Sequence, residues 1–160
     1  MTSFGVRRVV TGHDENGRAI VAVDEFANKT TSHRMGQTAV VVWTTDGFPV
    51  NNNTAEDGAK RQVGITSAGG TVFRVVELAP GVVRFPHRTS SIDYGIVISG
   101  EIEMELDDQK VQLRAGDVLV QRGTIHNWIN RGTAPCVIAF VLISAEPVSI
   151  AGKPLVTSHS

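Results

Sequence analysis

Short runs rich in Val and Ile recur along this chain, cut at close intervals by Gly, Asp, Asn and Pro, and this pattern limits the fold more than any other feature. Such runs cover 6–10, 19–23, 37–43, 72–78, 94–99, 101–106, 110–114, 118–121, 125–129 and 137–143. β-branched side chains fit a pleated, half-buried surface, and the breakers between them supply turns. From Glu101 to Leu106 acidic and apolar residues alternate at a period of two, Asp107-Asp108 turns the chain, and the alternation resumes from Lys110 to Arg114, which predicts a hairpin. No window of a dozen residues keeps a 3.6 period. The expected fold class is all-β, an antiparallel sandwich or jelly-roll barrel with little helix and no helix beyond about three turns.

At 160 residues the chain is one domain's worth, able to bury a sizeable core without disulfides. Its expected parts are N-terminal strands within 1–43, a long loop 44–70, a core barrel 72–143 and a C-terminal tail 144–160. The loop holds six Gly or Pro residues and a run of three Asn, so it is expected to be disordered or functional, as a lid or a dimer contact. Strands 6–10 and 19–23 would be exposed sheet edges, and covering them predicts a homodimer. Fifteen Lys and Arg against sixteen Asp and Glu leave a net charge of −1, which argues against nucleic acid or an anionic membrane as partner. The longest apolar run, 136–143, is eight residues, against the roughly 20 of a membrane helix. One cysteine, Cys136, allows neither an intrachain disulfide nor a thiolate metal cage. The first ten residues lack the apolar centre of an export signal, so the expected compartment is the cytoplasm.

The chemistry concentrates between Gly81 and Asn130. Gly81, His87, Thr89, Asp93 and Gly100 stand at the spacing Gly, five residues, His, one, His, three or four, Glu, six, Gly, with Thr89 in the place of the second His and Asp93 in that of the Glu. After fifteen intervening residues, Gly116, Gly123, His126 and Asn130 follow the second half of the same pattern, one residue short, with Gln121-Arg122 where Pro is usual. Both halves and the gap between them resemble the cupin superfamily, in particular its small single-domain members. The resemblance implies a jelly roll with a central pocket, commonly a homodimer, and in full members three His and one Glu around a divalent metal.

Two of those four ligands are replaced here. Thr89 is a poor ligand and Asp93 is a methylene shorter than Glu, which leaves His87, Asp93 and His126 as a reduced set for Fe, Mn, Zn or Ni. Without metal, Asp93 and His126, with His87 beside them, form a candidate acid/base group on a small oxygenated compound. Asp93 is then expected within hydrogen-bond reach of His126 or of an arginine. Arg88 or Arg122 could clamp a substrate oxygen. Thr89, Trp128 and Tyr94 could line the pocket, Trp128 sharing strand parity with His126. Each also has a plain reading: His87 at the barrel rim, Asp93 in an ion pair with Arg84, Arg88 or Arg122, His126 as a satisfied core histidine. Gly100 and Gly123 are expected at positive φ, Asn130 on a neighbouring backbone, and His13, His33 and His159 without a role. The functions left open are a lyase or isomerase such as a dehydratase, decarboxylase or cyclase; a non-catalytic small-ligand binder; and a metal-dependent dioxygenase.

Overall fold

The structure is a computed structural model describing residues 3–155 and 157–159, with Ser158 and His159 described by their strand alone. Its strands are β1 (Val6–His13), β2 (Ala19–Ala27), β3 (Thr30–Thr31), β4 (Gln37–Thr45), β5 (Thr71–Leu78), β6 (His87–Arg88), β7 (Ser91–Ser99), β8 (Glu101–Glu105), β9 (Lys110–Arg114), β10 (Val118–Arg122), β11 (Asn127–Ile129), β12 (Cys136–Ser144), β13 (Ser149–Ile150), β14 (Lys153–Pro154) and β15 (Ser158–His159). A single 3-10 turn, Gly58–Lys60, is the helical content among the described residues, and none of their helices is long and apolar enough to cross a membrane. The all-β expectation holds.

A six-stranded sheet in the order β10-β7-β12-β5-β4-β3 and a three-stranded sheet β11-β8-β9 contribute to one core. All pairings are antiparallel. Alternation explains the packing. Along β12, Cys136, Ile138, Phe140 and Leu142 are buried while the residues between them are half-buried. On the smaller sheet, Ile102 pairs with Leu113 and Met104 with Trp128, and all four belong to the core. The predicted 101–114 hairpin forms in the expected register, Glu105 opposite Lys110. At its base Gly100 has φ 76°, and a Cβ there would lie 2.5 Å from the Pro135 carbonyl oxygen, so only glycine fits. Gly123 is likewise at φ 63°.

Three expectations change. Strand β7 starts at Ser91, three residues before the predicted 94, because it pairs on both sides, with β10 and β12. Strands β1 and β2 pair with each other along their length, so each covers one edge of its neighbour. Within the 44–70 segment, expected as a disordered or functional loop, residues 57–65 are fastened to the barrel as a wall, while 48–56 stand exposed. Asp57 caps the 3-10 turn and pairs with buried Arg8, the Thr44 hydroxyl donates to the Gly58 carbonyl, and Val63 and Ile65 pack on the core. Part of the tail returns as β15 beside β6, with Ser158 opposite Arg88 and His159 opposite His87.

Candidate functional site

The second motif half sets the site by folding His126 back onto His87. The two residues form an isolated antiparallel bridge, each backbone N–H donating to the other's carbonyl at 3.0 Å. Directly opposed residues of such a pair put their side chains on one face, and the imidazole centroids are 4.2 Å apart. Each ring is oriented by a carbonyl of its own strand approach: His87 Nδ1 donates to Phe85 O at 2.9 Å and His126 Nδ1 to Thr124 O at 3.0 Å. A carbonyl only accepts, so in the neutral rings Nε2 carries the lone pair. Trp128, two residues on, meets His126 edge-on with centroids 5.9 Å apart and Phe140 at 5.7 Å.

Asp93 enters from β7, with Gln121 of β10 directly opposite it in the ladder. Gln121 Nε2 donates to Asp93 Oδ2 at 2.8 Å and faces His126 Nε2 at 3.3 Å. Ser91 donates to Asp93 Oδ1 at 2.6 Å and is itself bonded to Thr89. Asp93 therefore touches neither His126 nor an arginine directly; the Gln121 amide stands between the carboxylate and the imidazole. Burial pushes the Asp93 carboxyl above its ordinary value, against the hydrogen bonds from Ser91 and Gln121. Burial, then His87, then Arg34 push His126 down to about 3, so its ring is neutral across the physiological range.

These groups share one cavity with about 60 Å³ open to water centres, room for about four waters or a small ligand. His87, Asp93, His126 and Trp128 all line it. Thr89 is buried behind Asp93, through Ser91. Tyr94, Arg88 and Arg122 stand elsewhere, by strand parity. Tyr94 alternates with Asp93 and is 48 % exposed on the outer face; Arg122 alternates with Gln121 and is exposed; Arg88 donates to the Gly123 carbonyl. Asn130 holds the Leu78 and Ala134 carbonyls, as expected of a structural residue. A second hollow of about 130 Å³ lies beside Glu103 and Arg131, where Glu103 is paired with Arg131 and Lys110.

The cavity's cations are Arg34 and Arg74, which, like its Gln37, the sequence does not single out; His33, expected to have no role, also stands on its wall. Arg74 sits on β5 at the inward parity of Val72, Val76 and Leu78. A cation within that apolar alternation was the available signal, as was Gln121 beside Leu119. Arg34 and His33 lie in an irregular stretch with no such signal. Arg74 reaches the wall segment, donating to the Gly64 and Ile65 carbonyls at 2.8 Å each. Arg34 donates to Asn127 and its guanidinium lies 5.8 Å from the centre of the Phe85 ring.

A profile described as "Cupin domain" matches residues 74–143, the stretch that carries this cavity's β5, β7, β10 and β12. The chain is also 35% identical over 158 residues to the "Cupin-domain-containing oxidoreductase fogC" of Aspergillus ruber, covering 94% of this chain and 78% of that protein. The chain belongs to the cupin family. It is 49% identical over 94 residues to "Phomopsin biosynthesis cluster protein C'" of Diaporthe leptostromiformis, covering 58% of this cupin and 50% of that protein. Relative to the curated proteins it matches, the chain thus spans from about half to about four-fifths of their length. Among solved structures, KdgF from Halomonas sp. superposes with a TM-score of 0.50 at 20% identity, over 72% of this chain and 86% of that one, which supports the fold.

Cupins often bind a divalent metal. Among the described residues of this cupin, no three His, Cys, Asp or Glu side chains stand where they could hold one ion. His87 and His126 are adjacent, but both Asp93 oxygens are engaged by Ser91 and Gln121. The described donors do not fit a three-ligand site, and no step below is routed through a metal.

Proposed function

We propose that this cupin is an acid–base enzyme of the lyase or isomerase type, acting on a small oxygenated metabolite enclosed between its sheets. The observation that carries this reading is the Gln121 amide linking the buried Asp93 carboxylate to the neutral His126 ring within an aromatic-walled cavity. In it, the His126 Nε2 lone pair, which the Gln121 amide faces in the empty cavity, takes a proton from the substrate and returns it to the product at another atom, with the Asp93 carboxylate beyond Gln121 as the nearby negative charge and the His87 ring alongside. Proton transfer by a positioned imidazole contributes roughly 10²–10⁴-fold. A ring held near 3 is a weak base in the empty cavity; a negative group of substrate beside it raises its basicity.

Relatives named oxidoreductases support a second reading, redox chemistry on the same scaffold. Incubation in D₂O with a panel of 2-oxo and 3-hydroxy carbonyl compounds separates the two. Solvent deuterium entering carbon, lost in His126→Ala with the circular dichroism unchanged, is the expected result. A two-electron change in product mass without exchange, or a stoichiometric first-row metal in the purified protein, overturns it in favour of the oxidoreductase. We also propose a homodimer, supported by Val9, Val21 and Phe26 standing 51%, 60% and 60% exposed on the β1–β2 ribbon. A monomeric mass by light scattering at micromolar concentration counts against it.

A further inference from the structure

Four buried polar atoms of the cavity wall have no hydrogen-bond partner: Arg34 Nε, Arg74 Nε, Gln37 Oε1 and Gln121 Oε1. The other unpartnered atoms, Arg61 Nη1 and Glu103 Oε1, still face opposite charges, Asp46 for the first and Lys110 and Arg131 for the second. The four in the cavity have no opposite charge within hydrogen-bond reach, although Asp93 acts on Arg74 from across β12. Leaving a buried donor or acceptor unmatched costs about 1–3 kcal/mol, more for a charged group. Four in one enclosed space amount to a template, two N–H donors on cations and two carbonyl acceptors. The Gln121 orientation is fixed by Asp93, since a flipped amide would set its oxygen against the carboxylate.

Charge points the same way. The cavity is lined by two guanidinium cations and one carboxylate, with the His126 ring neutral and His33 and His87 also on its wall. No salt bridge joins Arg74 to Asp93. They sit one strand apart, Asp93 opposite Leu142 and Arg74 opposite Phe140 on β12. Two guanidinium cations against one carboxylate favour an anion, and a planar guanidinium is matched to a carboxylate.

We propose that the cavity takes a small monocarboxylic acid bearing a hydroxyl, its carboxylate held by Arg34 and Arg74 and its hydroxyl donating to Gln37 or Gln121. This names the substrate class of the acid–base site and rests on that reading only for the claim that the bound acid is turned over. Arg34 also acts on His126 and lies against Phe85, which brings the anion next to the imidazole pair.

The test is calorimetric titration with matched probes, mandelate against mandelamide and glycerate against glyceramide, with inorganic phosphate as a dianionic control. The acids are expected to bind at least about tenfold more tightly than their amides. Arg34→Gln and Arg74→Gln should each weaken acid binding by about tenfold or more while shifting amide binding less than about twofold. Arg34→Lys should keep part of the preference. Arg74 also anchors the wall segment; should Arg74→Gln fail to fold, the Arg34 pair of variants decides alone. Equal binding of acid and amide, tighter binding of phosphate, acid binding indifferent to the arginine changes, or no binding of either acid at millimolar concentration overturns the proposal. Acid preference that survives in His126→Ala, with no deuterium exchange in the native protein, defeats the catalytic reading alone. Exchange into neutral compounds without acid preference defeats this one alone.

Discussion

Arg8 and Arg74 are equally buried, each 4% exposed, and electrostatically opposite. Arg8 lies under the β1–β2 ribbon with its fork filled by Asp57 and Glu25, and the Asp57 hydrogen bond foremost holds its guanidinium above the ordinary value. Arg74 meets two backbone carbonyls and no carboxylate within hydrogen-bond reach; burial brings it down to about 10 and leaves its Nε unmatched. The cost of burial weighs more at Arg74, where it is the leading influence, than at Arg8, where it ranks behind the Asp57 bond. At Arg8 the fold itself offsets it, fastening residues 57–65 to the barrel. At Arg74 Asp93 offsets it in part from across β12, and the rest is left to whatever enters the cavity.

The largest expected effect comes from breaking the completed pair. Asp57→Ala should lower stability by about 3 kcal/mol in urea unfolding, since it strands a buried guanidinium with only the half-exposed Glu25. A loss below about 1 kcal/mol would show that Arg8 is not the lock it looks to be.

Next is pH. The folded His126 sits near 3 and its ordinary value is 6.5, so below 6.5 the unfolded chain binds a proton that the folded chain refuses. Stability is therefore complete above about 6.5 and falls as pH drops toward 3, by roughly 1–2 kcal/mol between pH 6.5 and 5. Urea midpoints across this window should flatten in His126→Phe; an unchanged slope removes His126 as their source. Raised Asp93 acts with the opposite sign, favouring the fold where its proton is retained, so it can only blunt the fall.

Arg74→Met sharpens the comparison from the other side. It forfeits two carbonyl bonds but also removes an unmatched buried cation, so the loss should stay within about 1 kcal/mol, well short of Asp57→Ala. A loss of about 3 kcal/mol would make Arg74 another structural lock. The smallest effect belongs to Arg122, exposed on the outer side of β10. Arg122→Ala should change neither acid binding nor stability beyond about 0.5 kcal/mol, measured by the same titration and urea series.

The strands were legible because alternation and breakers are local: 110–114 is matched to the residue, and the 101–114 hairpin in its register. His87, Asp93, His126 and Trp128 were legible because motif spacing plus parity fixes which side of a strand each takes. Parity could also have excluded Tyr94 and Arg122, since each alternates with a buried polar residue, Asp93 and Gln121. An arginine or tyrosine beside a motif nonetheless reads as part of it. The 57–65 wall was illegible, as its order rests on contacts with Arg8, Arg74 and the core from distant strands.

By itself, then, the sequence determined an all-β chain, the 101–114 hairpin and the two histidines that close on one another. Periodicity and turn chemistry act over a few residues and need no knowledge of the rest of the chain. Only the tertiary structure decided that Arg34, Gln37 and Arg74 share a cavity with those histidines, that Gln121 separates Asp93 from His126, and that Arg8 is matched where Arg74 is not. Whether a buried charge has a partner depends on which remote segments the sheets bring across from it, and no local pattern carries that information.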